Sequence, residues 1–432
     1  NKYSTAGKYI NEKAYIDDCN VSGQNNFDEN NSAGKENEKY AFKHPPNGYE
    51  QACKCNQNIK PPAAQKKKVD CNGIKTLLDE SNGGKNRING CNPKDQGAPY
   101  PGWDCKPSTF KDNQEGPCMP PRRQKLCIND LKVLTNTSSE SDLKRAFINC
   151  AAKEIHFLWK KYKDDKKKEV TTGGKREETD KLQSQLETGK IPDDFKRIMF
   201  YTFGDYRDLC LGNDLGNAHD TKNISGTVTS ILSTKNGGTE ITPDNWWKKI
   251  EKEVWDGMLC ALSYDIDEKT MDSNVLEKLM NPSYSNTYEI VKFSDNTTTL
   301  EDFAERHQFL RWYIEWSDEF CKERKKKENE VEKKCKNDYE GCSEKTKNGN
   351  TCRKACKDYE EYISNKKEEY EKQEKNFETE KRQNKRGYTD FSSENGSEYL
   401  KEKCFNDTCN CMDKVKSIDD YWKKPNKTGN WE

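Results

Sequence analysis

The sequence is poor in apolar residues and in histidine, and its charges cancel. Only 31% of the 432 residues are hydrophobic, four are histidine, and 75 lysines and arginines balance 75 aspartates and glutamates. A neutral chain has no overall attraction for nucleic acid or for an anionic membrane surface. We therefore predict no nucleic-acid partner, while local basic patches stay open as binding surfaces.

Long apolar runs are also missing. No stretch of the sequence approaches the roughly 20 apolar residues of a membrane span, and none has the apolar core of a secretory signal. We expect the sequence to be a domain of a larger protein, with any membrane anchor outside this fragment.

Recognised signatures of catalysis and of metal or cofactor binding do not occur. The sequence has no glycine-rich phosphate loop, GxSxG elbow, HExxH string or EF-hand loop. Cys53 with Cys55, and Cys409 with Cys411, are one residue apart and lack the partner pairs of the usual zinc sites. We predict a protein without enzymatic activity, metal or cofactor.

Cysteine and aromatic residues are abundant instead. The chain has 19 cysteines and nine tryptophans, and 10% of its residues are aromatic, a content that disordered chains avoid. So many cysteines in a polar chain with few histidines indicate disulfides formed in an oxidising compartment. We expect an extracellular, disulfide-stapled fold in which the odd cysteine has no partner within the chain.

The most apolar stretch is 191–210, IPDDFKRIMFYTFGDYRDLC. Pro192 suits the first turn of a helix, and Asp193 and Asp194 suit the positive end of its dipole. Apolar residues then recur at spacings of three and four, which predicts one buried stripe. These residues are Phe195, Ile198, Met199, Phe203, Tyr206, Leu209 and Cys210. We interpret the charged remainder, which includes Asp205 and Asp208, as a solvent face or as pairs within the helix.

Similar stripes predict further core helices over about 142–162, 243–262 and 300–320. A narrow stripe in the Lys- and Glu-rich segment 322–386 predicts a pair of antiparallel helices. Cys210 ends one core helix and Cys260 nearly ends another, so we predict a disulfide between them. Arg122 and Arg123 precede helical sequence, and we expect them to pair with carboxylates such as Asp205 or Asp208; anion binding is the alternative.

A basic run follows the helix predicted over 142–162. It contains Lys160, Lys161, Lys163, Lys166, Lys167 and Lys168. We expect a solvated loop, because charge runs are usually soluble surface. Binding of a sulfated glycan by these lysines is the alternative.

Five segments of the chain, taken in order, resemble the signature blocks of Duffy-binding-like domains. They are CMPPRRQKLC, FINCAAKEIHFLWKKYK, PDDFKRIMFYTFGDYRDLC, WWKKIEKEVWDGMLCAL and QFLRWYIEWSDEFC. These domains are adhesion modules of Plasmodium falciparum erythrocyte membrane protein 1 and of malarial erythrocyte-binding ligands. The sequence looks most similar to the beta, epsilon and zeta-like classes of these domains.

The resemblance implies an all-α, disulfide-stapled fold of three subdomains. We expect a loop-rich first subdomain over 1–117, a helical bundle over 118–265 and a long helix pair over 266–432. It also implies exposure on the infected erythrocyte next to other adhesion domains of the same parent chain. The implied partner is a host protein, such as immunoglobulin M or intercellular adhesion molecule 1, or else a chondroitin or heparan sulfate glycosaminoglycan.

Overall fold

The computed structural model describes residues 71–95, 99–169, 175–217, 221, 223–233, 241–335, 349–385, 387–388, 391, 393, 395–403, 411–412, 415 and 422. They belong to one compact unit, Val69–Glu432. The closely spaced cysteines at 53 and 55, and Cys409, lie outside the described residues. No helix among the described residues is long and apolar enough to cross a membrane.

The described residues fold mostly as α-helices, as predicted. The helices and strands are α1 Cys71–Asp79, α2 Pro121–Gln124, α3 Asn129–Lys132, α4 Glu140–Glu169, α5 Lys175–Glu187, α6 Asp193–Leu211, α7 Ile224–Ser233, α8 Pro243–Leu262, β1 Tyr264–Asp265, β2 Thr270–Met271, α9 Ser273–Leu279, α10 Leu300–Glu305, α11 Gln308–Cys335, α12 Gly349–Arg382 and α13 Gly396–Lys403. The strands β1 and β2 form a short antiparallel hairpin that the sequence did not predict.

Helix α6 is the predicted core helix. It begins after Pro192 and ends at Gly212, whose φ of 80° closes the helix in the left-handed conformation that glycine tolerates. Its apolar stripe is buried except for Ile198, which is partly buried, and Phe200 and Tyr201 on neighbouring faces are buried as well. Helices α8, α10 and α11 pack against α6, so more than one of its faces is buried.

Helix α4 is longer than the sequence indicated. Ser139 caps it, because its Oγ accepts from the backbone N–H of Asp142 while that aspartate accepts from Ser139. The helix continues through the basic run to Glu169, so the loop expected there is wrong. Lys160 and Lys161 each contact an aspartate one turn further on, which stabilises helical backbone.

The predicted helix pair is formed by α11 and α12, which lie side by side. A disulfide joins Cys335 at the end of α11 to Cys352 near the start of α12. Cys356 is also disulfide-bonded, and its sulfur lies 3.9 Å from that of Cys335. The three sulfurs lie close together, but bonded sulfurs are not the thiolates that bind a metal.

The predicted disulfide between Cys210 and Cys260 is wrong. Cys260 is bonded to Cys71 of α1, and Cys210 is a buried free thiol. The sulfur of Cys210 lies 4.0 Å from the carbonyl of Pro243, at the first turn of α8. Since a helix rises about 1.5 Å per residue, Cys260 lies about 25 Å away at the other end of that helix.

A loop over 105–118, closed by the Cys105–Cys118 disulfide, connects the bundle to the helix pair. Gln114 donates to Glu380 of α12 at 3.1 Å. Gly116, with a φ of 111°, lies so close to Asn376 that a Cβ there would be 2.4 Å from the Cβ of Asn376. The three-part division at 117/118 and 265/266 stays a prediction.

Candidate functional site

Arg122 of α2 lies in a buried ion network between helices. Its Nη1 donates to Oδ2 of Asp205 on α6 at 2.7 Å. Its Nε and Nη2 donate to the two carboxylate oxygens of Glu315 on α11 at 2.9 and 2.8 Å. One guanidinium therefore joins three helices, and the predicted pairing of Arg122 with Asp205 is confirmed.

Arg123 extends the network to the loop after α6. Its Nε and Nη2 donate to the two carboxylate oxygens of Asp214 at 3.0 and 2.6 Å. Gln308, at the start of α11, donates from Nε2 to Oδ1 of both Asp205 and Asp214, each at 3.0 Å. The sequence interpretation did not include Asp214, which follows the helix that it considered.

Arg311 of α11 provides the third cation. Its side chain is fully buried, its Nη2 contacts Asp208, and its Nη1 donates to the carbonyl of Ala304 at 3.0 Å. The solvent face predicted for Asp205 and Asp208 is therefore wrong, since both carboxylates are buried. Periodicity within α6 could not indicate this, because the partners belong to other elements.

Burial and ion pairing shift the pKa values of the two carboxyl groups in opposite directions. Burial raises the pKa of Asp205, but Arg122 and Arg311 outweigh it and hold the pKa below its usual value. At Asp208 burial outweighs Arg311, and the pKa rises to about 7. Every charged group of the network contacts a group of opposite charge, so its evident role is to hold α2, α6 and α11 together.

The six lysines of the candidate glycan site lie on the last turns of α4. Lys160 and Lys161 contact Asp164 and Asp165, and Lys160 is also 3.8 Å from Asp95. The ammonium group of Lys161 further lies 4.4 Å from the ring centroid of a tyrosine before the 105–118 loop. Much of the charge of these two lysines is therefore compensated by nearby carboxylates.

The other four lysines differ in exposure. Lys163 is buried, and its Nζ donates to Asp267 at 2.8 Å. Burial raises the pKa of Asp267, but Lys163, helped by Lys167, lowers it further than burial raises it. Lys166 lies over a tyrosine ring of the same helix, and Lys168 is 3.3 Å from a carboxylate oxygen. The structure thus brings the six lysines together on one helix, beside their counter-charges.

An open cleft of about 480 Å³ lies where the 105–118 loop, the end of α6 and the end of α12 meet. Lys111 and Lys385 supply its cations, and Asp112 lies on its wall. Lys111 donates to the carbonyl of Gly212 at 3.2 Å. Lys385 pairs at 2.9 Å with a carboxylate of α12.

Residues 116–311, which contain the lysine run and all of the buried network that lies before Glu315, match the family model of the Duffy binding domain. The chain carries a Duffy-binding-like domain. Domains of this family bind host receptors. The matched range runs from the 105–118 loop to Arg311 and so includes every cation of the buried network.

Two curated relatives of the Duffy-binding-like domain are parasite receptors. The Duffy receptor beta form of Plasmodium knowlesi is 23% identical over 277 residues, which are 61% of this chain and 19% of that protein. The Duffy receptor of Plasmodium vivax, strain Salvador I, is 25% identical over 170 residues, 37% of this chain and 13% of that protein. The chain therefore matches about a fifth or less of the length of these relatives.

The fold is shared with a solved structure. The crystal structure of erythrocyte binding antigen 140 of Plasmodium falciparum is 22% identical and superposes with a TM-score of 0.51, over 82% of this chain and 51% of that chain. A second structure of the same antigen, in complex with sialyllactose, is 23% identical with a TM-score of 0.50 and the same coverage. This likeness supports the Duffy-binding-like fold.

Two features of the surface were not found from the sequence. Among the described residues, the large apolar side chains that are exposed are Val133, Tyr284 and Ile290. On α12, three cations share one outer face, at Lys372, Lys375 and Arg382. Their spacing of three and seven residues was visible in the sequence, but only the helix bounds show which face is turned outward.

Proposed function

We propose that this Duffy-binding-like domain is an adhesion module without enzymatic activity that binds a host protein. The observation that carries the proposal is the family match over 116–311, the part that forms much of the helical core. Immunoglobulin M and cell-adhesion receptors such as intercellular adhesion molecule 1 are the proposed partners. Cytoadhesion, rosetting or immune evasion is the proposed outcome.

The distribution of charge supports a protein partner. The chain is neutral overall, and the lysines at the end of α4 lie beside carboxylates. A stable protein interface covers roughly 800 Å² on each partner and relies on a few aromatic, aliphatic or arginine anchors. Tyr284 and Ile290, each 39% exposed on the segment after α9, have this chemistry.

We place the domain in an erythrocyte membrane protein 1 of the beta, epsilon or zeta-like class, exposed on the infected erythrocyte. Neighbouring adhesion domains and a membrane anchor would belong to other parts of the parent chain. The disulfides that join α1 to α8 and α11 to α12 support an extracellular location, because such bonds persist in oxidising compartments.

Capture of soluble host protein tests the proposal. Cells that display the domain are expected to retain immunoglobulin M or intercellular adhesion molecule 1, and excess heparin or chondroitin sulfate is expected to leave that retention unchanged. A double variant that carries both Tyr284→Ser and Ile290→Ser tests the proposed anchors. Cells that display it are compared with cells that display the parent domain. Loss of retention in the presence of either glycan would argue against a packed protein interface.

The alternative is a sulfated glycosaminoglycan site on α4. It would use Lys160, Lys161, Lys163, Lys166, Lys167 and Lys168, which lie on one helix. Replacement of all six by glutamine should then abolish retention on chondroitin sulfate or heparin beads. Because Lys163 is buried, a five-lysine variant that keeps it is the version whose folding is least disturbed. Unchanged retention of that variant would eliminate this site.

A further inference from the structure

Three buried sulfur atoms meet where the helix pair is joined. Cys335 is the last residue of α11, and it is bonded to Cys352 in the first turn of α12. Cys356 lies one helical turn further along α12, and its sulfur is 3.9 Å from that of Cys335. The three sulfurs lie within 4.8 Å of one another, and all three residues are buried. Two cysteines of α12 therefore lie beside the same cysteine of α11.

The other disulfide bonds lack this arrangement. In the part of the chain that the structure describes, these are the only three cysteines whose sulfurs come so close together. The bond between Cys321 and Cys411, which also begins on α11, has no third sulfur this close among the same residues. Cys356 has a disulfide bond of its own, to a cysteine outside the described residues. The Cys335–Cys352 bond thus has a neighbouring sulfur that could replace one of its two.

The chemistry of such a replacement is thiol–disulfide exchange. A thiolate attacks one sulfur of a disulfide and displaces the other. A dithiol that reduces the bond of Cys356 supplies two electrons and two protons and is itself oxidised to a disulfide. The Cys356 thiol then loses its proton to solvent, and its side chain can rotate about χ1 to bring the sulfur into line with the Cys335–Cys352 bond. A bond forms between the sulfurs of Cys356 and Cys335, the bond to Cys352 breaks, and Cys352 leaves as a thiolate that takes up a proton.

The position of the two cysteines on α12 gives the exchange a direction. Cys352 lies in the first turn of a helix of 34 residues, where backbone N–H groups without a partner in the helix and the positive end of the dipole stabilise a thiolate. Cys356 lies in the second turn, where this stabilisation is weaker. The thiolate that is more stable is also the better leaving group. Exchange should therefore proceed towards the Cys335–Cys356 bond.

We propose that Cys335, Cys352 and Cys356 form a thiol–disulfide exchange site, at which a dithiol moves the bond between α11 and α12 from Cys352 to Cys356. The helix pair stays covalently joined after the exchange, one turn further along α12. The first turn of α12 is released, and Cys352 becomes the reactive thiol. This site does not depend on which host molecule the domain binds.

Partial reduction followed by disulfide mapping tests the site. The oxidised domain is treated with limiting dithiothreitol, its thiols are blocked with N-ethylmaleimide, and it is digested with trypsin without further reduction. Arg353 and Lys354 provide cleavage sites between Cys352 and Cys356, so each bond gives its own peptide pair. We expect a peptide pair that joins Cys335 to Cys356, together with blocked Cys352. Blocking of Cys335 and Cys352 together, without that pair, would overturn the proposal.

The Cys356→Ser variant removes the attacking sulfur. At the same concentration of dithiothreitol, its yield of blocked Cys352 should fall at least about tenfold, because an external thiol lacks the effective concentration of a neighbouring one. The Cys321–Cys411 bond is the internal control, since its reduction should give two blocked cysteines and no new bond. Equal yields of blocked Cys352 in the parent and in the variant would contradict exchange.

The parent domain in urea provides a test that does not require the variant to fold. Unfolding separates the three sulfurs, so the yield of the Cys335–Cys356 peptide pair should fall at least about tenfold relative to the folded domain. Circular dichroism verifies that the domain is folded in one sample and unfolded in the other. Equal yields in the two samples would show that closeness in sequence, and not the packed site, produces the new bond.

Discussion

Single buried charges determine how the helices of this domain fit together. Asp205 accepts from Arg122, Gln308 and the indole N–H of Trp312, so one carboxylate collects donors from two other helices. Breaking one partner of a buried pair leaves the other charge uncompensated in a medium of low dielectric constant. Breaking the pair therefore lowers the free energy of unfolding by more than the intact pair contributes to it.

Asp205→Asn is therefore expected to lower the free energy of unfolding by about 3–5 kcal/mol. Urea denaturation followed by circular dichroism measures this quantity. The control is Lys354→Gln, an exposed position on α12, which should change it by less than about 0.5 kcal/mol. Equal effects of the two substitutions would show that the network does not stabilise the fold.

His156 gives the domain a pH-dependent component of stability. The side chain is buried on α4, its Nε2 lies 2.8 Å from Ser81, and burial lowers its pKa to about 3. Between pH 6.5 and pH 3 the unfolded chain binds a proton at this residue and the folded chain does not. The contribution of His156 to the free energy of unfolding is therefore fully present above about pH 6.5 and decreases as the pH falls below that value.

The comparison with His156→Gln isolates this effect. Relative to the variant, the parent should lose about 1.4 kcal/mol of unfolding free energy for each pH unit below about 6. Urea denaturation at pH 7, 6, 5 and 4 provides the measurement. A difference between the two proteins that stays constant over this range would contradict a neutral buried imidazole.

At the scale of elements, the contact between α6 and α11 depends on a glycine. A Cβ at Gly204 of α6 would lie 2.6 Å from Nε of the buried Arg311. Gly204→Ala should push that guanidinium away from Asp208 and lower the free energy of unfolding by about 1–3 kcal/mol. Thermal and urea denaturation measure the change.

Gly226→Ala on α7 is the matched control for this contact. Its Cβ would meet no atom within 4 Å, so the better helix propensity of alanine should raise stability by up to about 1 kcal/mol. The two glycine-to-alanine changes are thus expected to have opposite signs. Stabilisation by both would contradict close packing of α6 on Arg311.

The disulfide between α1 and α8 is a second test at this scale. Cys260→Ala should remove the bond to Cys71 and cost about 2–5 kcal/mol. Cys210→Ala should cost much less and leave the Cys71–Cys260 peptide intact in mass spectrometry of a non-reduced digest. A freed Cys260 thiol in the Cys210 variant would instead support the pairing predicted from sequence.

Sequence periodicity indicated the core helices but not all of their bounds, since the helix predicted over 300–320 is divided into α10 and α11, and it did not indicate their partners. The stripe of α6 and its start at Pro192, Asp193 and Asp194 are local patterns, so they were predictable from neighbouring residues. Asp205 and Arg122 are 83 positions apart, and their contact depends on how helices are arranged in space. For the same reason, two cysteines at the ends of helices suggested a bond that the antiparallel packing of α6 and α8 prevents.

The candidate site was less predictable than the fold. The lysine run was visible as composition, but the counter-charges at Asp95 and Asp267 come from other parts of the chain. The cations of α12 were visible at helical spacing, yet their exposure follows from the packing of the opposite face against α11. Sequence alone could therefore name basic residues but could not say which of them are available to a ligand.

For the whole molecule, we propose that this Duffy-binding-like domain recognises a host protein through a packed interface. A biosensor panel of purified host surface receptors and immunoglobulins, with immunoglobulin M and intercellular adhesion molecule 1 included, tests it most directly. We expect at least one of these proteins to bind, with a dissociation constant that changes less than about tenfold between 50 and 200 mM salt. Binding of sulfated glycans alone, weakening steeply over the same range of salt, would contradict the claim.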